Sequence, residues 1–254
     1  MTEHFRVPSL KKIIIWLIVI SCISFTFGGV ITVLDGGRYA GNVGEKEIQL
    51  VIPPESAERA MISLEMVSGK MNVSTGRGDA LLSGTIRSIY ARNGPEKSYS
   101  VENGIGMLSL SQESSMFLDP LEKVDDWNLT LQQNIPFDLS LKSGTGEIRL
   151  DVGNAKMTSL RIDAGAGDVT VDLTTWKGSH LPVSISSGLG SLSVILPRDT
   201  SIAAETSNGF GSRTISGLDG EDGHYYHNDP VPGSPVISLA IKQGLGDLTL
   251  VTDH

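Results

Sequence analysis

The sequence predicts an all-β fold, a β-solenoid built as a single-stranded β-helix, with coils of about 21 residues and Gly-x-Gly corners, plus one N-terminal transmembrane helix. Three observations predict it. SGTGEIRL begins at Ser143, AGAGDVTV at Ala164 and SGLGSLSV at Ser187, so the first glycines, Gly144, Gly165 and Gly188, stand 21 and 23 residues apart. Apolar residues alternate on both sides of each glycine pair: Leu139 and Leu141 then Ile148 and Leu150, Leu160 and Ile162 then Val169 and Val171, Val183 and Ile185 then Leu192 and Val194. Period two means strands, and stacking the units about 4.8 Å apart places Leu141, Ile162 and Ile185 in one ladder and Ile148, Val169 and Leu192 in another. A β-sandwich with glycine-rich hairpins fits the alternation but not the constant spacing. The third observation is the run Ile13 to Leu34, 22 residues without a charge.

As a helix that run spans about 33 Å, enough for a bilayer core of about 30 Å. Arg6, Lys11 and Lys12 precede it and Asp35 follows. The positive-inside rule then makes 1–12 a short cytoplasmic tail and 13–34 a single-pass anchor in the cell membrane, with the C-terminal domain extracytoplasmic. A cleaved signal peptide would have a shorter apolar region and a small-residue site after it. Val19 to Cys22 also has the form of a lipobox, but further apolar residues follow where a lipoprotein has a polar tether. Cys22 is the only cysteine, so the rest of the chain holds no disulfide and no thiolate metal site. The balance of 29 acidic against 20 basic residues gives a net charge of −9. With no basic stripe, that excludes nucleic acid as a partner.

Residues 35–46 form a glycine-rich tether. An N-terminal part of the solenoid, 47–126, starts with a strand at Glu47 to Ile52. Leu64, Met66 and SGKMNV follow, a copy of the repeat in which Met71 stands for the second glycine; then come TGRG from Thr75 and a strand from Leu82 to Tyr90. Tyr99, Val101, NGIG from Asn103, Leu108 and Leu110 make another copy. The polar stretch Ser111 to Asp126 makes the next coil irregular. The C-terminal part, 127–254, opens with a strand at Trp127 to Leu131 and carries the clean repeats. At NGFG from Asn208 the ladder weakens to Ala204, Thr206, Arg213 and Ile215, which predicts the softest coil. A loop insertion occupies 217–235. Ile237, Leu239, Ile241, QGLG, Leu248 and Leu250 then close the stack, with Thr252, Asp253 and His254 as its polar end. The corner glycines on this reading are Gly104, Gly106, Gly144, Gly146, Gly165, Gly167, Gly188, Gly190, Gly209, Gly211, Gly244 and Gly246. Each turns through positive φ, so Gly165→Val costs stability.

WNLTLQQNIPFDLSLKSGTGEIRLDV from Trp127, followed by LRIDAGAGDVTVDL, resembles the toast-rack family, the glycine-repeat domain of LiaF-like membrane proteins, and more loosely the related adhesin-like domains. MISLEMVSGKMNV and GPEKSYSVENGIGMLSLSQ resemble the family's N-terminal part. The resemblance covers residues 45 to 254 and implies a β-solenoid ectodomain, a membrane context and a role in envelope stress sensing or surface adhesion. LiaF-like chains carry several transmembrane helices where this one has a single anchor.

Acidic residues after the second glycine, Glu147, Asp168 and Asp247, with Asp79 after TGRG, have the look of calcium-binding repeats. Those recur every nine residues and share each ion between turns. The spacing here is near 21, and Met107, Ser191 and Ser212 stand in other copies, so no metal and no cofactor is expected. The stretch Asp219 to Pro230 gathers Glu221, Asp222, His224, Tyr225, Tyr226, His227 and Asp229 and is the candidate partner-contact loop. It lacks a helix or an HExxH frame to present ligands on one face. Arg77-Gly78-Asp79 spells the integrin tripeptide on a glycine assigned to a corner. Asn72-Val-Ser74 and Asn128-Leu-Thr130 are glycosylation sequons, and Trp127 and Trp176 lie beside strands, as packing residues rather than sugar platforms. The expected function is a non-enzymatic, membrane-anchored surface-interaction or envelope-sensing module whose partners are an envelope protein, a glycan or a second copy of itself. A carbohydrate-active enzyme on a β-helix and a purely structural spacer are the alternatives; the first needs paired carboxylates in a groove, and the sequence shows none.

Overall fold

A computed structural model describes residues 46–88, 94–112, 125–228 and 235–253. The expected anchor at 13–34 and the tether before Lys46 lie outside them. Among the described residues no helix is long and apolar enough to cross a membrane. The chain forms strands β1 (Lys46–Ile52), β2 (Arg59–Gly76), β3 (Leu82–Ser88), β4 (Glu96–Glu102), β5 (Ile105–Ser111), β6 (Asp125–Gln132), β7 (Phe137–Asp151), β8 (Met157–Ala166) and β9 (Val169–Asp172). It continues with β10 (His180–Leu189), β11 (Leu192–Leu196), β12 (Ser201–Phe210), β13 (Arg213–Ser216), β14 (Asp219–Glu221), β15 (His224–His227), β16 (Val236–Leu245) and β17 (Leu248–Thr252).

Six coils each have two strand segments meeting at a glycine corner, and both segments send alternate side chains into one core. In β7 the inward positions are Leu139, Leu141 and Ser143 before the corner and Ile148 and Leu150 after it. The step from Ser143 to Ile148 is five residues, an odd number, so strict alternation must break once. Gly146, at φ +119°, is where it breaks. The same five-residue step separates Ser187 from Leu192 and Gln243 from Leu248, with Gly190 and Gly246 at positive φ.

Neighbouring coils pair in parallel. Leu141 lies beside Ile162 and Ile162 beside Ile185, while Ile148 lies beside Val169 and Val169 beside Leu192. Coil order in space departs from coil order in sequence at both ends. The last coil, β16 and β17, is interposed between β10–β11 and β12–β13, pairing in parallel with each. The expectation that Leu248 and Leu250 close the stack is therefore corrected: they are interior, and the NGFG coil is outermost. Hydrophobicity explains the exchange. Ile237, Leu239, Ile241, Leu248 and Leu250 supply a fully apolar ladder best used between two neighbours, whereas Thr206 and Arg213 can stay at an end. At the other end β2 lies between β7 and an outermost coil made of β5 and β6.

Antiparallel strands cover these ends. β4 covers β5, and β3 covers β6 and is itself covered by β1. β15 and then β14 cover β12. Thr252 and Asp253 are thus not the polar end of the stack: β17 is paired on both sides and Thr252 is buried, while His254 lies outside the described residues.

Two copies of the repeat need re-registering. In SGKMNV it is Gly69, at φ +141°, that pairs with Gly146, and Met71 pairs with Ile148 in the core, so Val67 rather than Gly69 fills the place of the first glycine. NGIG makes no coil corner. Asn103 (φ +52°) and Gly104 (φ +76°) form the two-residue turn of the β4–β5 hairpin, and Gly106 is a strand residue packed on Ala57 and Tyr99.

Candidate functional site

The corner glycines stack in two columns that follow the spatial order of the coils. A Cβ on Gly165 would meet the carbonyl oxygen of Gly144, one on Gly188 that of Gly165, one on Gly244 that of Gly188, and one on Gly209 that of Gly244. The second column runs from Gly69 through Gly146, Gly167, Gly190 and Gly246 to Gly211 in the same manner. Only this second column has positive φ at each member. The reason assigned to Gly165 is thereby corrected: its constraint is a neighbouring carbonyl, and the left-handed conformation belongs to Gly167.

The acidic residues beside the corners bind the protein itself. Asp168 Oδ1 accepts from Ser191 N of the next coil at 2.9 Å. Asp247 Oδ1 accepts from Ser212 N at 2.9 Å and from Ser212 Oγ at 2.7 Å, and these bonds hold its carboxyl below the usual carboxylate range. Glu147 bonds Arg149. Among the described residues no group of three or more His, Cys, Asp or Glu is placed to hold a metal ion.

The insertion expected as a loop at 217–235 is, over its described part, a β-hairpin. Asp222 (φ +52°) and Gly223 (φ +87°) make its turn, Glu221 pairs with His224, and Gly223 O accepts from Thr206 N at 2.7 Å. His224, Tyr225, Tyr226 and His227 lie along β15 against β12, so alternation sends them to opposite sides of the sheet. His227 Nε2 contacts Arg198 O at 2.8 Å, and Tyr225 packs on the core with its hydroxyl accepting from Arg213. Asp229 lies outside the described residues. The overlooked signal was local: Asn-Gly at 103 and Asp-Gly at 222 both form two-residue hairpin turns.

Another surface gathers polar groups. The outer face of the second strand segments carries a shallow depression of about 340 Å³ lined by Asn72, Asn128, Arg149, Asp151, Thr170 and Asp172, among others. Asn72 and Asn128 are register partners, with Asn72 Nδ2 donating to Asn128 Oδ1 at 3.0 Å. Asp151 Oδ1 accepts from Gly153 N and Asp172 Oδ1 from Thr174 N and Oγ1, which fixes both carboxylates in turns. These residues come from four strands, so no stretch of sequence announces the depression. Both sequons fall here because outward positions on a strand recur every second residue. Trp127 and Trp176 are buried, their indole N–H groups given to Asp125 Oδ2 and Met157 O, so neither offers a ring to a sugar. Arg77, Gly78 and Asp79 lie between β2 and β3, where Gly78 O accepts from Gln132. Gly78 turns no coil.

On the first-segment face, Asp138 stitches a β-bulge between β7 and β8. Thr158 Oγ1 and Ser159 Oγ each reach its Oδ1 at 2.7 Å, and Arg59 reaches Oδ2 at 2.6 Å. Partial burial alone would raise its pKa; the hydrogen bonds from Ser159, Thr158 and Arg59 and the guanidinium charge outweigh that and lower it.

A two-segment, parallel-stacked coil with paired glycine columns defines the class of glycine-cornered β-solenoids. The profile described as the N-terminal domain of toast_rack (DUF2154) matches residues 40–195, and the chain belongs to the toast-rack family. No curated protein matches the chain. The crystal structure of a candidate cell-adhesion protein from Clostridium sporogenes superposes with a TM-score of 0.77 at 26% identity, covering 83% of this chain and all of that one. A candidate adhesin from Bacteroides fragilis (TM-score 0.26, 11% identity, 82% of this chain and 98% of that one) and a candidate lipid-binding protein from Parabacteroides distasonis (0.28, 10%, 82% and 98%) are too distant to support an inference.

Proposed function

We propose that this chain is a non-enzymatic surface-interaction module of the cell envelope, held at the membrane by the helix predicted at 13–34 with the solenoid outside, acting in adhesion or envelope sensing. The observation that carries the reading is the likeness, over 83% of this chain, to the Clostridium sporogenes cell-adhesion candidate. The described surface is consistent with it. The depression around Asn72, Asn128, Arg149, Asp151 and Asp172 offers amides, a guanidinium and carboxylates in register on a rigid sheet, a composition suited to a hydroxyl-rich ligand such as an envelope glycan.

Membrane-impermeant thiol labelling of intact cells tests the topology, using the full chain with Cys22→Ser and a single cysteine at Ser184 or Thr2. Labelling at 184 and not at 2 is expected; the reverse overturns the outside placement. Incubating the purified full chain with envelope polysaccharide tests the chemistry. Retention lost in Arg149→Ala supports binding, and sustained hydrolysis overturns the non-enzymatic assignment.

A further inference from the structure

The tips of the corners form a ridge along six coils, in the spatial order Ser68, Thr145, Ala166, Leu189, Leu245, Phe210. The two residues flanking each tip are glycines except at Val67, so the ridge carries no charge on a chain of net −9. Over the last three coils its polarity is inverted. Ser187, Gln243 and Asn208 occupy the inward positions of the corner, and Ser187 Oγ, Gln243 Oε1 and Asn208 Oδ1 are buried without a hydrogen-bond partner. Outside, Leu189 is 48% exposed, Leu245 47% and Phe210 77%. Large apolar tips facing outward beside a polar interior mark a contact surface.

The first outward residues on either side of the ridge tell what covers it. Coil by coil they are Glu65 and Lys70, Lys142 and Glu147, Asp163 and Asp168, Ser186 and Ser191, Lys242 and Asp247, Ser207 and Ser212. We propose that a second copy of this chain packs ridge against ridge, in parallel, about a two-fold axis running along the stack. Such an axis sets each coil against its own counterpart and exchanges the flanks. Glu65 then faces Lys70, Lys142 faces Glu147 and Lys242 faces Asp247 of the other copy, each contact occurring twice, with serines facing serines in two coils. Asp163 and Asp168 form the single like-charge coil, and Asp163 is already bonded to Arg161. An antiparallel arrangement sets Lys142 against Lys242 and Glu147 against Asp247, so the charges choose the parallel one. Leu189, Leu245 and Phe210 each meet their own counterpart. The pairing rests on the described corners and not on the anchor. It brings both N-terminal ends to the same side.

The test uses the full chain in detergent with Cys22→Ser. Single cysteines at Leu245 and Leu189 should give a covalent dimer under mild oxidation, and one at Ser184, outward on β10, should give none. Lys142→Glu should lower the Leu245→Cys dimer several-fold, and adding Glu147→Lys should restore it. Equal yields at 184, 189 and 245, cross-linking of Leu245→Cys with Thr145→Cys chains but not with itself, or failure of the charge exchange to restore the dimer would each overturn the proposal. Thiol labelling in cells reads topology separately, so either idea can fail alone.

Discussion

At the scale of single residues, the second glycine of each pair is the least replaceable. Gly167 has φ +127°, and a Cβ there meets the carbonyl of Gly146. Gly167→Ala incurs about 1–2 kcal/mol from the backbone conformation alone, at roughly 2–4 °C per kcal/mol for a domain of 150–250 residues, with the steric clash in addition. Thermal unfolding should therefore drop by several degrees, more than for Ala at the exposed tip Thr145. An unchanged midpoint would remove the carbonyl contact from the account. Asp138 gives the pH counterpart. Its carboxyl is lowered in the fold, so its stabilisation is complete above the ordinary value of about 3.9 and is lost as pH falls through the lower folded value. The melting difference between the wild type and Asp138→Asn should thus be present at pH 7 and shrink as pH falls below about 4. A constant difference over that range would mean that the carboxyl charge does not matter at the bulge.

Among elements, the outermost C-terminal coil is the weak one. β13 has pairing on one side only, and all four of its residues are exposed or half-buried, whereas β9 and β11 are paired on both sides around a buried core. Amide hydrogen exchange should be much faster in β13 than in β9 and β11, which should stay protected up to global unfolding. Protection of β13 equal to that of β11 would refute local opening. The weaker ladder of this coil was legible in the chain, because Thr206 and Arg213 interrupt its apolar residues. The corner register of the central coils was legible for a similar reason: one spacing and one alternation allow one stacking. The hairpin at Asp219–His227 was harder to read, because its charged and aromatic strands lack an apolar alternation and only the Asp-Gly turn at its centre marks it.

For the whole molecule, coil order was not legible, because every coil repeats the same corner and each fits equally well beside several others. What decides the order is the relative apolarity of ladders whose residues lie far apart in sequence, as with Leu239 against Ala204. The polar depression was hidden for the same reason, its register partners Asn72 and Asn128 being 56 residues apart. The chemistry of the surface is thus a product of the stacking, and the glycines matter to it as spacing devices.

Interposing the last coil also has a mechanical consequence. Were the coils stacked in sequence order, tension entering beyond Thr252 would unzip the outer coil one hydrogen bond at a time. Here β17 is gripped by β11 on one side and β13 on the other, and β16 by β10 and β12. Extraction must break two parallel ladders together, and the glycine columns run through both. The solenoid would thus resist load entering from that side as an embedded tenon does, by shear.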